Sequence, residues 1–249
     1  MLVLITGATS GIGKATAEIF AKNGYDLIIT GRRSERLQDI KQDLEKIGVK
    51  VLSLCFDIRK LNEVKSAIAS IPNEMKKIDI LVNNAGLASG LSTIQDGDID
   101  DWERMIDTNV KGLLYITREI APLMVESKKG HIINIGSIAG KEVYANGNVY
   151  CATKHAVDAL NKGMRIDLLP HGIKVTSINP GMIETEFSVV RFHGDEEKAK
   201  KVYEGINPLT PEDIAETIYW TATRPVHVNI NELIIMPTAQ ASATNTIRK

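Results

Sequence analysis

Two kinds of hydrophobic pattern alternate along this chain. Short runs such as LVLIT and DLIIT stay largely apolar over consecutive positions, which is typical of strands that are buried on both faces. Longer segments repeat apolar residues every three or four positions, as a helix with one buried face requires. The runs predict seven strands: Leu2–Thr6, Asp26–Thr30, Val49–Phe56, Ile80–Asn83, His131–Ile135, Lys174–Asn179 and Glu232–Met236.

The helical patterns lie between these strands. They cover Ile12–Asn23, Ser34–Ile47, Leu61–Ile71, Ile99–Ser127, Val149–Leu169 and Pro211–Thr223. Strands that alternate with helices predict an α/β Rossmann fold, a doubly wound parallel sheet with helices on both faces. No linker or repeat divides the chain, so we expect one domain over residues 1–249. Residues 182–207 form a long excursion between the last two strands and are predicted to be a substrate lid.

Local signals mark several helix ends. Gly24 and Gly48 stand where two helices should stop. Thr210, Pro211 and the acidic pair that follows are favourable at a helix start, because a hydroxyl caps the free amides and proline suits the first turn.

Composition narrows the range of functions. The formal net charge of −1 gives no concentrated basic surface, so we expect no nucleic-acid or membrane partner and favour a small-molecule substrate. No apolar run approaches the roughly 20 residues of a membrane-spanning helix, and a strand that begins at Leu2 leaves no room for a signal segment. Two cysteines without CxxC spacing favour a reducing, cytoplasmic location, and the scattered histidines predict no metal site.

A glycine-rich turn joins the first strand to the first helix. Glycines let the backbone approach a pyrophosphate, whose charge the free amides and the helix dipole stabilise. The spacing is GxxxGxG rather than GxGxxG, but its place at the first strand–helix junction favours a nucleotide site. The predicted contacts are Gly7, Thr9, Ser10, Gly11, Ile12 and Gly13.

Two adjacent arginines follow the second strand. An NAD site usually has an acidic residue here, whereas this chain has Arg32 and Arg33. Guanidinium groups can bind a 2′-phosphate through charge-assisted hydrogen bonds. We therefore expect NADP as the cofactor; the alternative is a solvated basic loop.

Tyr150 and Lys154 stand four residues apart in a predicted helix. This spacing places a phenol beside an ammonium, and a nearby cation favours the phenolate. Such a pair can exchange protons near neutral pH, although most tyrosine–lysine pairs at this spacing are surface packing.

Taken together, these motifs resemble the short-chain dehydrogenase/reductase family over essentially the full length. The resemblance rests on TGATSGIG at 6–13, NNAG at 83–86, Asn109, Ser137, YxxxK at 150–154 and Pro180-Gly181. It implies that Tyr150 exchanges a proton with the substrate oxygen, that Lys154 lowers the pKa of Tyr150 and holds the nicotinamide ribose, and that Ser137 hydrogen-bonds the same oxygen. Asn109 is then expected to bind a water that links Lys154 to solvent. Taken alone, Ser137 could be a serine that caps a loop, and Asn109 could be a surface or packing residue.

The same resemblance implies further cofactor contacts. Asp57 and Ile58 are expected to flank the adenine, although Asp57 could instead cap the helix that begins near Leu61. Asn83, Ala85 and Gly86 are expected beside the cofactor, where Asn83 and Gly86 match positions that keep the sheet open. Pro180, Gly181, Ile183 and Thr185 are expected at its nicotinamide end.

Several longer strings, including GRRSERL, TEFSVVRFHGD and LTPEDIAE, resemble the family's NADP-dependent 3-hydroxy acid dehydrogenases, also described as serine or allo-threonine dehydrogenases. A carboxylated substrate needs a cation, and Arg191 in the predicted lid is the candidate. Its alternative partners are Asp195, Glu196 and Glu197. Compared with that branch, the segment 183–187 lacks one or two glycines, which predicts a shorter loop.

Two other functions fit part of this pattern. One is a broad NADPH carbonyl reductase of the 3-oxoacyl or sepiapterin type, and the other is an NADP-binding protein without catalysis. The intact set of Ser137, Tyr150, Lys154 and Asn109 argues against the second. By resemblance we also expect a homotetramer, with contacts through long helices and through the last strand and its tail, residues 233–249.

Overall fold

Seven strands form the centre of the structure, a computed structural model that describes residues 1–249. They are β1 (Leu2–Ile5), β2 (Asp26–Gly31), β3 (Val51–Cys55), β4 (Ile80–Asn83), β5 (Gly130–Ile135), β6 (Ile173–Pro180) and β7 (Glu232–Ile235). All neighbouring pairs are parallel, in the order β3-β2-β1-β4-β5-β6-β7. The strand order reverses direction between β1 and β4, so this is the doubly wound sheet that the sequence predicted.

Nine α-helices surround the sheet. They are α1 (Gly11–Lys22), α2 (Ser34–Glu45), α3 (Leu61–Ala69), α4 (Ile99–Ile106), α5 (Leu113–Ser127), α6 (Asn148–Leu168), α7 (Glu186–Arg191), α8 (Glu196–Lys201) and α9 (Pro211–Ala222). Residues 107–112 form a π-helical segment between α4 and α5, inside the single helix that the sequence predicted over 99–127. The sequence pattern did not indicate α7 and α8, which lie in the predicted lid.

Each face of the sheet has its own hydrophobic core. Val3 and Ile5 of β1 point to the side covered by α1, α2 and α9, where the ring of Phe20 is completely buried. Leu2 and Leu4 point to the opposite side, against α3 and α5. Because both faces are covered, the strands are apolar at consecutive positions, which explains the pattern of the runs.

Several helix ends have the predicted geometry. Gly24 and Gly48, which follow α1 and α2, have φ angles of +77° and +101°, in the left-handed region that favours glycine. Thr210 caps α9: its hydroxyl accepts from the Asp213 amide, and the Asp213 carboxylate accepts from the Thr210 amide. None of the helices combines the length and the apolar character that a bilayer span requires.

Candidate active site

A cleft of about 640 Å³ lies at the carboxyl ends of the strands. Arg32, Arg33 and Asp57, which follow β2 and β3, line one part of it, and Ser137 and Tyr150, beyond β5, line another. The reversal of strand order between β1 and β4 lies between the two parts. Ligands of doubly wound sheets bind at this reversal, so the cleft is the candidate site.

The glycine turn forms the floor between the two parts. Gly7 and Gly11 have φ angles of +67° and +50°, and a Cβ atom at Gly7 would lie 3.0 Å from the Ala85 Cα. Gly7, Thr9, Ser10, Gly11 and Ile12 line the cleft. The absence of a side chain at Gly7 therefore lets the turn pack against the backbone after β4, and the positive φ angles give the turn a shape that fits a bound pyrophosphate.

Gly13 differs from the other predicted contacts because it does not line the cleft. It is buried in α1, where an added Cβ would lie 2.3 Å from the carbonyl oxygen of Gly7. Its role is the close packing of the helix against the turn rather than contact with a ligand.

The two arginines after β2 have different partners. Arg33 donates to the Thr9 hydroxyl from Nη2 (2.8 Å) and Nε (3.1 Å), and to the Ser10 hydroxyl from Nη2 (2.8 Å). Its Nη1 donates to Glu186 at 2.8 Å. The guanidinium of Arg32 makes no hydrogen bond in the structure; burial lowers the pKa of Arg32, and Asp57 opposes this effect. Arg32 is therefore the arginine that is free to bind a phosphate.

Asp57 and Ile58 lie in the same part of the cleft. The Asp57 carboxylate accepts hydrogen bonds from the Arg59 guanidinium at 2.6 to 3.0 Å. Burial raises the pKa of Asp57, but the hydrogen bonds from Arg59 outweigh it and hold this pKa below its ordinary value. Asp57 is thus charged and fixed in orientation, and Ile58 offers an apolar surface beside it.

The residues after β4 also line the cleft, with one exception among those predicted. Ala85 and Gly86 lie in its wall, together with Asn84, which the sequence analysis did not single out. The Asn83 side chain is buried away from the cleft and donates to Thr117 and to Asn134, both at 2.9 Å. Successive residues of a strand point to opposite sides, so Asn83 and Asn84 cannot both face the cleft.

Tyr150 lies near the amino end of α6, with 9% of its surface exposed, and its ring packs against Phe187 of the lid. Burial raises the pKa of Tyr150 well above the ordinary value, while Arg191 and the Ser137 hydroxyl lower it by less. This net direction differs from the lowering that the tyrosine–lysine spacing led us to expect. The buried phenol therefore keeps its proton at neutral pH.

Lys154 lies one turn further along α6. Its ammonium donates to the Ile135 carbonyl at 2.9 Å and lies 5.9 Å from the centre of the Tyr150 ring. Burial lowers the pKa of Lys154 to about 8, so the side chain still carries its charge at pH 7. The ammonium is also near Gly86, because a Cβ there would lie 3.7 Å from Nζ. The sheet thus holds Lys154 between the catalytic tyrosine candidate and the cleft wall.

Asn109 lies in the π-helical segment and is 2% exposed. Its Oδ1 accepts from the Leu87 amide (2.8 Å), while Nδ2 donates to the Leu87 carbonyl (2.8 Å) and to the Thr153 hydroxyl (3.0 Å). Thr153 precedes Lys154, so Asn109 connects the chain after β4 to α6. Its side-chain groups are all used within the protein, and a water that it helps to bind would need a further lone pair or a backbone group.

Arg191 projects from α7 into the cleft. Its guanidinium carbon lies 5.1 Å from the ring centres of both Tyr150 and Phe187, and Nη2 donates to the Tyr144 hydroxyl at 3.0 Å. Nε is buried and has no hydrogen-bond partner. None of the alternative acidic partners forms an ion pair with it; Asp195 pairs with Lys198 instead. Arg191 is therefore a cation beside the candidate proton donor, with hydrogen-bonding capacity to spare.

The predicted lid, residues 182–207, follows shortly after the end of β6. Pro180, Gly181, Ile183 and Thr185 line the cleft, and the Thr185 hydroxyl caps α7 by accepting from the Phe187 amide. The Thr185 side chain also lies against the glycine turn, since a Cβ at Gly11 would be 3.3 Å from it. The far part of the lid contacts the segment after β4: the Gly90 amide donates to the Arg191 carbonyl, and His193 pairs with Asp101 at 3.2 Å.

Residues after β7 complete the wall. The Gln240 side chain accepts from the Met182 amide at 2.7 Å, the Lys249 amide donates to the Gly205 carbonyl, and Ala243, Thr244, Thr246 and Arg248 line the cleft. The sequence pattern did not indicate that this tail, Tyr144 or Glu186 belongs to the site. The aromatic and acidic residues at 144 and 186 lie near candidates already chosen, but no pattern pointed to the tail.

Comparison with known proteins agrees with this geometry. Residues 1–196 match the family model described as short chain dehydrogenase. The chain is 50% identical, over the full length of both proteins, to the NADP-dependent 3-hydroxy acid dehydrogenase of Salmonella typhi. It is 46% identical to the serine 3-dehydrogenase of Rhizobium radiobacter, over 97% of this chain and 95% of that one.

A similar solved structure is the closed form of a serine dehydrogenase complexed with NADP+. It has a TM-score of 0.94 and 48% identity, and the match covers 100% of both chains. The sheet order, the glycine turn and the tyrosine and lysine of α6 thus occur together with matches of high identity over the whole length. The chain belongs to the short-chain dehydrogenase family.

Proposed function

We propose that this protein is an NADP-dependent dehydrogenase of small 3-hydroxy acids. It transfers a hydride between the nicotinamide and the 3-hydroxyl or 3-oxo carbon of substrates such as L-serine, L-allo-threonine and 3-hydroxypropionate. The observation that carries the proposal is Arg191, a cation with an unpartnered buried Nε beside the ring of Tyr150. A substrate with its hydroxyl at Tyr150 and a carboxylate at Arg191 satisfies both groups.

The residues of the cleft fit the dinucleotide. The glycine turn and the hydroxyls of Thr9 and Ser10 would hold the pyrophosphate, Arg32 and Arg33 the 2′-phosphate, and Asp57 and Ile58 the adenosine. When bound, the cofactor supplies the hydride acceptor or donor, and the protein supplies orientation and control of the proton. The same proposal puts Ala85, Gly86, Pro180, Gly181, Ile183 and Thr185 beside the nicotinamide half.

Tyr150 acts as the acid and base. Its raised pKa keeps the phenol protonated, which suits donation of a proton to the substrate oxygen during reduction. During oxidation the phenolate oxygen of Tyr150 must accept the alcohol proton, so a positive environment is needed to stabilise the phenolate. Arg191 and Lys154 supply two positive charges near the ring, at 5.1 and 5.9 Å from its centre.

Ser137 and Lys154 assist this proton transfer, Ser137 at the substrate oxygen and Lys154 at the nicotinamide ribose. The Ser137 hydroxyl lowers the pKa of Tyr150 and can donate to the substrate oxygen, where negative charge develops. Lys154 is charged, buried and close to Gly86, where it can hold the nicotinamide ribose. Asn109 fixes this arrangement through Thr153, and we propose that it also helps to place a water on the path from Lys154 to solvent.

A panel of NADP-linked reactions tests the function. L-serine, L-allo-threonine and 3-hydroxyisobutyrate are compared with uncharged alcohols of similar size, such as 1-propanol and 2-butanol. We expect kcat/KM for the acids to exceed that for the alcohols by at least tenfold. Equal values would instead support a broad carbonyl reductase, and NADP binding without turnover of any substrate would support a protein that only binds the cofactor.

We also propose that the protein forms a homotetramer in the cytoplasm. Exposed apolar side chains support association: they include Ile106 of α4, Leu114 of α5, Trp220 of α9 and Ile234 of the edge strand β7. Free thiols at Cys55 and Cys151 are in keeping with a reducing compartment. Light scattering coupled to size-exclusion chromatography measures the mass, and cell fractionation measures the location.

A further inference from the structure

The lid and the 2′-phosphate site are joined by one carboxylate. Glu186, the first residue of α7, accepts from Arg33 Nη1 at 2.8 Å and from Arg36 Nη1 at 2.6 Å. Burial raises the pKa of Glu186, but the two arginines outweigh it and lower this pKa to about 2. Glu186 is thus a permanent negative charge at the phosphate end of the cleft, contributed by the element that covers the substrate end.

Arg33 has little capacity left for a ligand while Glu186 is in place. Its guanidinium has five N–H groups. Four are engaged, by Thr9 (twice), Ser10 and Glu186. A phosphate that binds Arg33 through two hydrogen bonds must therefore displace Glu186 or a hydroxyl of the glycine turn. Of these partners of Arg33, the Glu186 carboxylate is the one that carries a negative charge, so it competes directly with a phosphate.

We propose that Glu186 is a specificity-determining residue that competes with the 2′-phosphate of the cofactor for Arg33 and so sets how tightly the cofactor binds and how fast it leaves. The phosphate draws Arg33 away from Glu186, and the repulsion between the two anions weakens binding. Departure of the cofactor restores the Arg33–Glu186 pair, and Arg36, at 2.6 Å, remains as the partner of Glu186 while the phosphate is bound. Because NAD(H) lacks the 2′-phosphate, its affinity does not depend on this competition.

The inference rests on the proposed use of NADP. Glu186→Gln removes the charge and keeps the size of the side chain, and Glu184→Gln is the matched control. Glu184 carries the same charge two residues earlier in the lid but makes no ion pair in the structure. Both variants are checked for an unchanged melting temperature before binding is measured.

Fluorescence titration gives the Kd of NADPH and NADH, and stopped-flow displacement gives the dissociation rate. For Glu186→Gln we expect NADPH to bind about three- to tenfold more tightly and to dissociate more slowly at low salt, because an exposed carboxylate near a dianion contributes a modest, screened repulsion. The gain should shrink at 0.5 M salt and be absent for NADH. Binding of 2′,5′-ADP should tighten as NADPH does, and 5′-AMP should not change.

Three results would overturn the inference: weaker NADPH binding by Glu186→Gln, an unchanged Kd, or an equal change in Glu184→Gln. Weaker binding would mean that Glu186 holds Arg33 over the bound cofactor. Failure of the original protein to bind NADPH would be a different result, since it would remove the proposed function itself.

Discussion

Replacement of Arg191 by leucine tests the substrate proposal most directly. The change removes the guanidinium that lies 5.1 Å from the Tyr150 ring centre and keeps much of the apolar stem that packs beside Phe187. A carboxylated substrate would lose its counter-ion, whereas an uncharged alcohol would lose none. We therefore expect the loss in kcat/KM to depend on the charge of the substrate.

The size of the loss follows from the surroundings of Arg191. A full charge pair at 4 Å is worth about 4 kcal/mol at an effective dielectric constant of 20. Desolvation of the carboxylate reduces this to about 1.5–3 kcal/mol, the net value of a hydrogen bond to a charged group. Since Nε already lies buried without a partner, little further desolvation of the arginine is needed. This range corresponds to an increase in KM for L-serine of about 10- to 150-fold.

The assay measures KM and kcat for L-serine, 3-hydroxypropionate and an uncharged alcohol with saturating NADP+. Arg224→Leu is the matched control, because its guanidinium also stacks on an aromatic ring, at 4.5 Å from the Trp220 centre, but outside the cleft. Tyr144→Phe removes only the hydrogen bond that Arg191 donates, so we expect a smaller effect with the same preference for acids. Equal losses for acids and alcohols in Arg191→Leu would refute the carboxylate role.

Three further predictions follow from other parts of the structure. Tyr150→Phe should retain NADPH binding, measured by fluorescence, and its kcat should fall at least 10²-fold. Because the pKa of the phenol is raised, the rate of oxidation by the unmodified enzyme should increase as the pH rises. A rate of oxidation that does not change with pH would contradict this role. Replacement of Arg32 and Arg33 together by glutamine should abolish the preference for NADP over NAD, and an unchanged ratio of kcat/KM values would refute the 2′-phosphate site. Burial lowers the pKa of His131 to about 3, so the folded protein holds it neutral while the unfolded chain binds a proton below pH 6.5. The free energy of unfolding, measured in urea, should therefore fall as the pH is lowered from 6.5 towards 3. His131→Gln should remove up to about 1.4 kcal/mol per pH unit from that slope. Identical slopes for the two proteins would show that His131 does not contribute.

The strands and the main helices could be predicted because each depends on local information. A strand between two layers of helices must be apolar on both sides, and Gly24 and Gly48 report left-handed turns that other residues avoid. The helices of the lid could not be found in this way. Each has six residues, too few for a periodic pattern, and contacts between distant side chains hold them: the Tyr203 hydroxyl pairs with Ser188 at 2.6 Å and donates to the Ile183 carbonyl at 2.8 Å.

Sequence spacing could predict those parts of the site whose residues lie close together in the chain. Tyr150 and Lys154 share one helix, and Gly7 and Gly11 share one turn, so spacing alone brought them together. Glu186 could not be paired with Arg33, because 153 residues separate them in sequence. The pKa of Tyr150 could not be predicted from the pattern either, since the spacing shows a lysine four residues away but not the burial that raises this pKa.

The carboxyl-terminal wall of the cleft bears on how this enzyme can be recombined with a relative. The family match spans residues 1–196, which hold the glycine turn and the proposed proton-transfer residues, whereas the end of the predicted lid and the tail lie beyond it. Gln240 accepts a hydrogen bond from the Met182 amide, and the Lys249 amide donates to the Gly205 carbonyl, so the predicted lid and the tail are held together. Segments 182–207 and 237–249 should therefore be exchanged together when the enzyme is recombined with a relative. A chimaera that takes only one of them would combine two segments that do not match at their contacts.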